Sequence, residues 1–427
     1  MSRTTKGWFC LMTLLLGSVL MLSSMLVGCD AVMPDAPAAN EIFDAPFEDL
    51  TKSQLAVHLA GDEEFARRFT STEGVGPMFV ATSCDACHPG EGQGHPVFNE
   101  TRFGRMTDDG FDVMAEKGGP QLQNRAIPGY PPEIVPEGAT GVTEITAPSV
   151  TGLGLLEAVD DETILALADP DDADGDGISG RPQLIEGDDL ITDIVAFESL
   201  ASNGTRNVPM DGRFIGRFGK KARTINLLHQ TIFAYLEDMG LTTDFAPDDL
   251  TNVQAVGSSG QDTAPDPEVP SSVVTNVVFY LRTLRPPLRR NADDPDVLAG
   301  KQLFEAIQCA ACHRPTLTTG RSNIPQLNEK DFHPYTDLLL HDMGERLDDG
   351  YTEGRALTSE WRTPPLWGLG LAADFQGGTP RLLHDGRATS IREAIDFHGG
   401  EAAESRDAFN RLSAEEQGQL IQFLESL

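Results

Sequence analysis

The chain has 427 residues, 66 of them acidic and 32 basic, for a net charge of −34. That balance excludes nucleic acid as a partner and excludes docking on anionic lipid through the protein surface. It suits a well-solvated body that meets a basic partner, and the length suits two to three domains.

Residues 1–28 read as an export signal. Arg3 and Lys6 precede an apolar run from Trp8 to Val27. The run ends in Leu26-Val27-Gly28-Cys29, which looks like a bacterial lipoprotein cleavage box. Cleavage and lipidation at Cys29 are therefore expected, with an uncleaved N-terminal anchor as the alternative. Either way the body lies outside the cytoplasm, on the periplasmic side of a bacterial membrane. Residues 29–45, rich in Ala, Pro, Asn and Asp, make a flexible tether.

Two C-x-x-C-H runs follow, Cys84-Asp85-Ala86-Cys87-His88 and Cys309-Ala310-Ala311-Cys312-His313. Each reads as a covalent c-type haem site, with two thioether bonds to the vinyl groups and an imidazole on the iron. The expected attachment residues are Cys84, Cys87, Cys309 and Cys312, and the expected proximal ligands are His88 and His313. Cys10 falls in the leader and Cys29 at the cleavage box, so none of the six cysteines is left for a disulfide. A zinc or dithiol site is the alternative. Zinc generally needs four ligands, whereas the histidine after both C-x-x-C pairs is the haem signature.

The two motifs sit in a weak internal repeat. Ala147-Pro148-Ser149-Val150-Thr151-Gly152-Leu153-Gly154 parallels Thr363-Pro364-Pro365-Leu366-Trp367-Gly368-Leu369-Gly370. Apolar spacings of three and four predict a short amphipathic helix closing each half, at 277–284 and at 420–427. A further helix, Val297 to Ile307, precedes the second motif, with Leu298, Leu303, Phe304 and Ile307 on one face. Arg285-Pro286-Pro287 ends the first half. The expected fold is mainly α: two cytochrome c-like domains with long irregular loops, 46–287 and 288–427. The first carries an insertion of about a hundred residues rich in Gly, Asp and Pro, and the polar segment 252–272 reads as a loop.

The segment Asp169-Pro170-Asp171-Asp172-Ala173-Asp174-Gly175-Asp176-Gly177-Ile178 resembles a calcium loop. Asp172, Asp174, Asp176 and the Ile178 carbonyl occupy donor positions, and Gly177 permits the sharp turn. The twelfth position is Gln183 rather than a bidentate Glu, so the loop is incomplete. The alternative is a solvated acidic turn.

Several segments resemble the bacterial di-haem oxidoreductase family, which is distantly similar to di-haem cytochrome c peroxidases and to the haem enzyme of methylamine utilisation. They are Phe214-Ile215-Gly216-Arg217-Phe218-Gly219-Lys220-Lys221-Ala222, Leu338-Leu339-Leu340-His341-Asp342-Met343-Gly344, Trp361-Arg362-Thr363-Pro364-Pro365-Leu366-Trp367-Gly368, Leu382-Leu383-His384-Asp385-Gly386-Arg387 and Ile395-Asp396-Phe397-His398-Gly399-Gly400. The resemblance covers nearly everything from about residue 60 onward. It implies a distal ligand for the second haem on a helix opened by a His-x-Gly run. The matching count of fourteen residues from His384 reaches His398. His398 then completes a bis-His haem of lower potential than a His/Met one; the alternative is a helix cap only. His384, Met343 and His341 are lesser candidates.

At the first haem the resemblance implies Gln230, with Glu237 or Asp238, as groups that orient peroxide and shuttle its proton. The alternative is an acidic surface pair. His95 and Met106 are candidates for closing that site as a sixth ligand. The peroxidases carry a Trp between the haems, where this chain has Phe218; Trp361 or Trp367 would bridge instead.

The expected function is an exported di-haem oxidoreductase of peroxidase type, taking electrons at the C-terminal haem and reacting at the N-terminal one. Its donor would be a small cytochrome or a cupredoxin. The alternative is a non-catalytic di-haem carrier serving a membrane oxidation or metal-uptake system. Dithiol exchange, which the family's other name suggests, fits poorly because the haems use the remaining cysteines.

Overall fold

The computed structural model describes residues 43–108, 110–201, 207–255, 262 and 264–427. The export signal, Cys10, Cys29 and most of the tether lie outside the described residues. Among the described residues no helix is long and apolar enough to cross a membrane. Residues 40–427 form one compact unit.

The fold is mainly α with short strands. Its principal helices are α1 (Lys52–Ala66), α2 (Asp189–Ala201), α3 (Leu227–Phe233), α4 (Ser271–Thr283), α5 (Pro295–Ala306), α6 (Ile391–Phe397), α7 (Ala403–Arg411) and α8 (Ala414–Ser426). Five small antiparallel sheets lie among the described residues, and three of them use the first-half insertion and the loops: β1 (Glu100–Thr107) between β2 (Gly110–Asp112) and β3 (Gly141–Ile145), then β4 (Leu184–Glu186) with β5 (Arg213–Ile215), then β6 (Leu340–Asp342) with β7 (Glu360–Arg362). β3 alternates buried and exposed residues, as a strand with one covered face must.

The same helix pair recurs around each C-x-x-C-H run. α1 precedes the first motif and packs on α4, and α5 precedes the second and packs on α8. Local chemistry fixes the starts. Thr51 and Gln54 form a capping box at α1, as Ser413 and Glu416 do at α8. Asp294 caps α5, whose first residue is Pro295. Each crossing is built on a glycine and an aromatic residue four positions later. A Cβ on Gly61 would lie 2.2 Å from Asn276 O, and one on Gly300 would lie 2.0 Å from Gln419 O. Phe65 meets Tyr280 at 5.6 Å between ring centres, and Phe304 meets Phe423 at 5.3 Å.

The expected helix before the second motif is therefore present, but its buried face differs. Val297, Gly300 and Phe304 are buried, whereas Leu298 is 47% exposed. The close approach at Gly300 sets the rotation, and the apolar count pointed about one residue away from it. A glycine-to-alanine change in an open helix stabilises by about 1 kcal/mol. Here the backbone carbonyl blocks the methyl group. Gly61→Ala and Gly300→Ala are each expected to destabilise by roughly 1–3 kcal/mol, read as a lower denaturation midpoint. Unchanged or raised midpoints would show that the crossings are not tight.

The two repeat stretches also share a conformation. Gly152 (φ 69°) and Gly368 (φ 73°) both adopt the left-handed region just before a helical turn, which glycine does without a Cβ penalty. The stretches touch, since a Cβ on Gly152 would lie 2.5 Å from the Trp367 ring. One core gathers α1, α3 and α4. A second gathers α5, α6 and α8. Leu317, Phe332, Leu338 and Trp367, all beyond Pro287, pack into the first core.

Candidate functional site

One continuous cavity of about 440 Å³ is lined by both motifs, Cys84, Cys87 and His88 on one side and Cys309, Cys312 and His313 on the other. Each motif follows its glycine-crossed helix, so the phenylalanine of that helix reaches the motif histidine. Phe65 lies 6.1 Å from His88 and Phe304 lies 6.4 Å from His313, centre to centre.

Both histidines are oriented by a backbone carbonyl. His88 Nδ1 donates to Pro148 O at 2.7 Å, and His313 Nδ1 donates to Tyr335 O at 3.0 Å. A carbonyl only accepts, so the proton is on Nδ1 and the Nε2 lone pair is left for a metal. Burial lowers the proton affinity of each ring to a pKa of about 4, so both are neutral across the physiological range. The four motif cysteines form no disulfide. Burial pushes the thiols of Cys84, Cys87 and Cys309 up to about 12.

His398 follows α6 and lies opposite His313. Their ring centres are 6.5 Å apart. An axis of two imidazoles about one metal, with metal–nitrogen bonds of about 2 Å, separates the ring centres by roughly 6 Å. His398 Nδ1 donates to Ala394 O at 2.7 Å, which again leaves Nε2 unprotonated. The residues present thus fit a metal held between His313 and His398. His341 cannot serve. Its Nε2 meets Asp337 at 2.8 Å and its Nδ1 meets Glu401 at 2.7 Å. Although burial opposes the charge, these partners raise its pKa well above the ordinary value, so both nitrogens carry protons.

His384 stacks on Trp361 with centres 3.7 Å apart and planes within 10°. The Lys221 ammonium sits 3.9 Å from the same indole, and the indole N–H donates to Leu347 O at 2.8 Å. Trp361, Trp367 and Phe218 all line the cavity.

The three residues expected near the first motif separate in role. α3 runs into a single π-helical turn at 234–238 that carries Glu237 and Asp238; such turns are frequent at functional sites. Gln230 accepts from Thr224 Oγ1 at 2.9 Å. Glu237 is held by Arg223 at 2.8 and 2.9 Å. Asp238 is half-buried near Cys84 and accepts one side-chain bond among the described residues, from Gln121 Nε2 at 2.6 Å. Burial, and then the charge of Glu100, push its pKa up to about 7. All three line the cavity. His95 and Met106 do not. His95 Nδ1 accepts from the Val97 amide, and Met106 is 54% exposed on β1.

In the acidic loop, oxygens of Asp169, Asp172 and Asp174 lie within 4.8 Å of one another. Asp176 instead accepts the Ile178 amide at 2.9 Å, and Asp172 accepts the Gly177 amide at 3.1 Å. Asp169 lies one turn before the spacing motif and is not part of it. Ile178 lines the cavity. The loop is tied to the second motif's surroundings, because the Ser179 hydroxyl and amide both donate to Glu401 at 3.0 Å.

Sequence reasoning missed the cavity's cations. Lys220, Arg223 and Arg362 line it, and no spacing pattern distinguishes them from surface charges.

A family model described as "Di-haem oxidoreductase, putative peroxidase" matches residues 140–427. No curated protein matches the chain. Among solved structures, hydrazine synthase of Kuenenia stuttgartiensis under xenon pressure is similar at 14% identity and a TM-score of 0.37. The match covers 93% of this chain and 95% of that one. A MauG-like protein associated with microbial copper homeostasis is similar at 13% identity and a TM-score of 0.37, over 92% of this chain and 94% of that one.

Proposed function

Because the chain belongs to the di-haem oxidoreductase family, and so serves a di-haem redox function, we propose that it is an exported peroxide-reducing enzyme built from two cytochrome c-like domains. The observation that carries the reading is the asymmetry of the single cavity. His313 faces a second imidazole, whereas the protonatable Asp238 lies near Cys84 and Cys87 of the first motif and lines the same cavity as Gln230. Cys84, Cys87 and His88 would hold one haem and Cys309, Cys312, His313 and His398 the other, and the pair would supply one-electron chemistry, the His313 side serving as the electron entry and the His88 side as the place for peroxide.

The chain's residues hold, orient and move protons. Pro148 and Tyr335 fix the proximal rings. Both oxygens of Glu237 accept from Arg223, which fixes the side chain in a positioning role. Asp238, ionising near 7, takes the proton from one peroxide oxygen and returns it to the other. Calcium in the Asp172–Ile178 loop remains part of the proposal, with Asp169 added to the expected donors. So does a lipid tether at Cys29 on the periplasmic face of a bacterial membrane. The strongly acidic chain suits a donor with a basic docking face, a small cytochrome or a cupredoxin.

The oxidised holoprotein is expected to show one high-spin and one low-spin haem by EPR. Its reduced form should bind CO at one haem only, and it should consume peroxide with a reduced cytochrome donor. His398→Ala is expected to turn the low-spin signal high-spin. Two low-spin haems that bind no CO and turn over no peroxide would leave only the electron-carrier function.

A further inference from the structure

Two cations in the cavity wall, the buried Arg362 and the half-buried Lys220, form no ion pair with a carboxylate. Elsewhere in the interior Lys221 gives its ammonium to three backbone carbonyls, those of Leu357, Thr358 and Glu360, and the other buried arginines meet carboxylates: Arg102 meets Glu353 at 2.7 Å, Arg282 meets Glu157 at 2.6 Å, and Arg217 meets Asp161. Lys220 and Arg362 do not. Lys220 Nζ makes one long hydrogen bond, 3.4 Å to Leu383 O. Arg362 donates only to backbone carbonyls, Gly219 O at 3.1 Å and Thr363 O at 3.0 Å. Taking a cation out of water without an anion is costly. Burial accordingly lowers the Lys220 pKa to about 8 and that of Arg362 to about 10, and Arg362 itself depresses Lys220 further.

The two charges are held together on purpose-built backbone. The Arg362 amide donates to Lys220 O at 2.9 Å, which stitches β7 of the second half to the Gly216–Ala222 segment of the first. Their surroundings differ. Lys220 is close enough to His88 for its charge to disfavour protonation of that ring. Arg362 feels Asp337, the carboxylate that holds His341 beside Cys312. Each cation thus belongs to a different motif, although both open on one cavity.

We propose that Lys220 and Arg362 form a paired clamp for carboxylate groups, Lys220 taking a propionate of the cofactor at Cys84–His88 and Arg362 one of the cofactor at Cys309–His313. Carboxylate is the ligand chemistry that fits, because the site offers two cations that open on the cavity and hydrogen-bond only to backbone carbonyls, neither forming an ion pair with a carboxylate of the wall. A guanidinium also matches a carboxylate in shape. The clamp rests on the di-haem reading and adds to it. It neutralises one acid group per cofactor at adjacent points, so it sets both midpoint potentials and couples them.

The test is potentiometric titration of the holoprotein, followed at each haem's own absorption band. Lys220→Met is expected to lower the midpoint of the His88 haem, because the unpaired propionate favours the ferric state, with a smaller shift at the other haem. Arg362→Met is expected to do the reverse. Lys220→Arg and Arg362→Lys should restore most of each shift. Loss of attached haem in Lys220→Met with full loading in Lys220→Arg would also support the clamp. Unchanged potentials in fully loaded Met variants would overturn it, as would equal shifts at both haems or haem loss in the charge-conserving variants too. Fewer than two haems per chain in the unaltered protein would instead sink the di-haem reading itself.

Discussion

Asp238→Asn is expected to lower peroxide turnover by about 10²–10⁴-fold with both haems still attached and the spectra of the resting protein little changed. Of the three residues expected at the first site, Asp238 is the one whose carboxyl is pushed up to about 7. Glu237 is fixed in place by Arg223, and Gln230 has no ionisable group. Asn keeps the size of Asp and can still accept from Gln121, so the loss isolates the proton. The pH dependence has a definite sign. The shuttle begins with the carboxylate, and burial holds the carboxyl protonated until about pH 7. Turnover should therefore rise from pH 6 to 8 in the native protein, and that limb should vanish in the variant. Stability runs the other way. An acid whose folded pKa is raised contributes stability that is present below its unfolded value and lost as pH rises toward 7, so the Asn variant should lose less stability across that interval. Full activity of Asp238→Asn would remove the shuttle from this residue.

The largest effect on stability is expected at Arg282. Its Nε donates to Glu157 at 2.6 Å, and a terminal nitrogen donates to Glu157 and to Glu198 at 3.0 Å each. Glu157 also accepts the Leu227 amide that opens α3. One guanidinium thus joins α4, α2, α3 and the turn at 153–157, with all three side chains buried. Arg282→Leu leaves two buried carboxylates without their cation and should destabilise by about 3–5 kcal/mol, seen as a large drop in the denaturant midpoint. Arg67→Ala, which breaks a pair exposed on both sides, should change it little. Equal effects from the two would show that the buried network does not hold the first core together.

What the sequence disclosed follows from what each signal reports. The C-x-x-C-H spacing is local in the chain, so both motifs were legible, and the cavity brings them together. Helices α4, α5 and α8 showed because their buried faces carry periodic apolar residues. Helix α1 did not. It buries His58, Gly61 and Phe65 and exposes Leu55, Val57 and Leu59, so an apolar count reads the wrong face. Its Thr51–Gln54 capping box was the signal that would have found it. The repeat also breaks where it would matter most for prediction. His88 is anchored by Pro148 of the first repeat stretch, but His313 is anchored by Tyr335, not by its counterpart Pro364. Lys220 and Arg362 left no trace, because lysine and arginine are presumed solvated until the fold encloses them.

The state of the motif thiols has a consequence for the order in which this protein is made. In the closed fold, Cys84, Cys87 and Cys309 face a cavity that keeps them neutral until about pH 12. A neutral thiol is a poor nucleophile. Bond formation to a vinyl group is therefore fastest on the extended chain, before α4 folds back on α1 and α8 on α5. On the proposal that the haems are attached covalently outside the cytoplasm, biogenesis would have a direction: translocation first, cofactor attachment second, helix closure last. A polypeptide that closed early would then be a stranded by-product, and the supply of active molecules would be set by a race between maturation and folding.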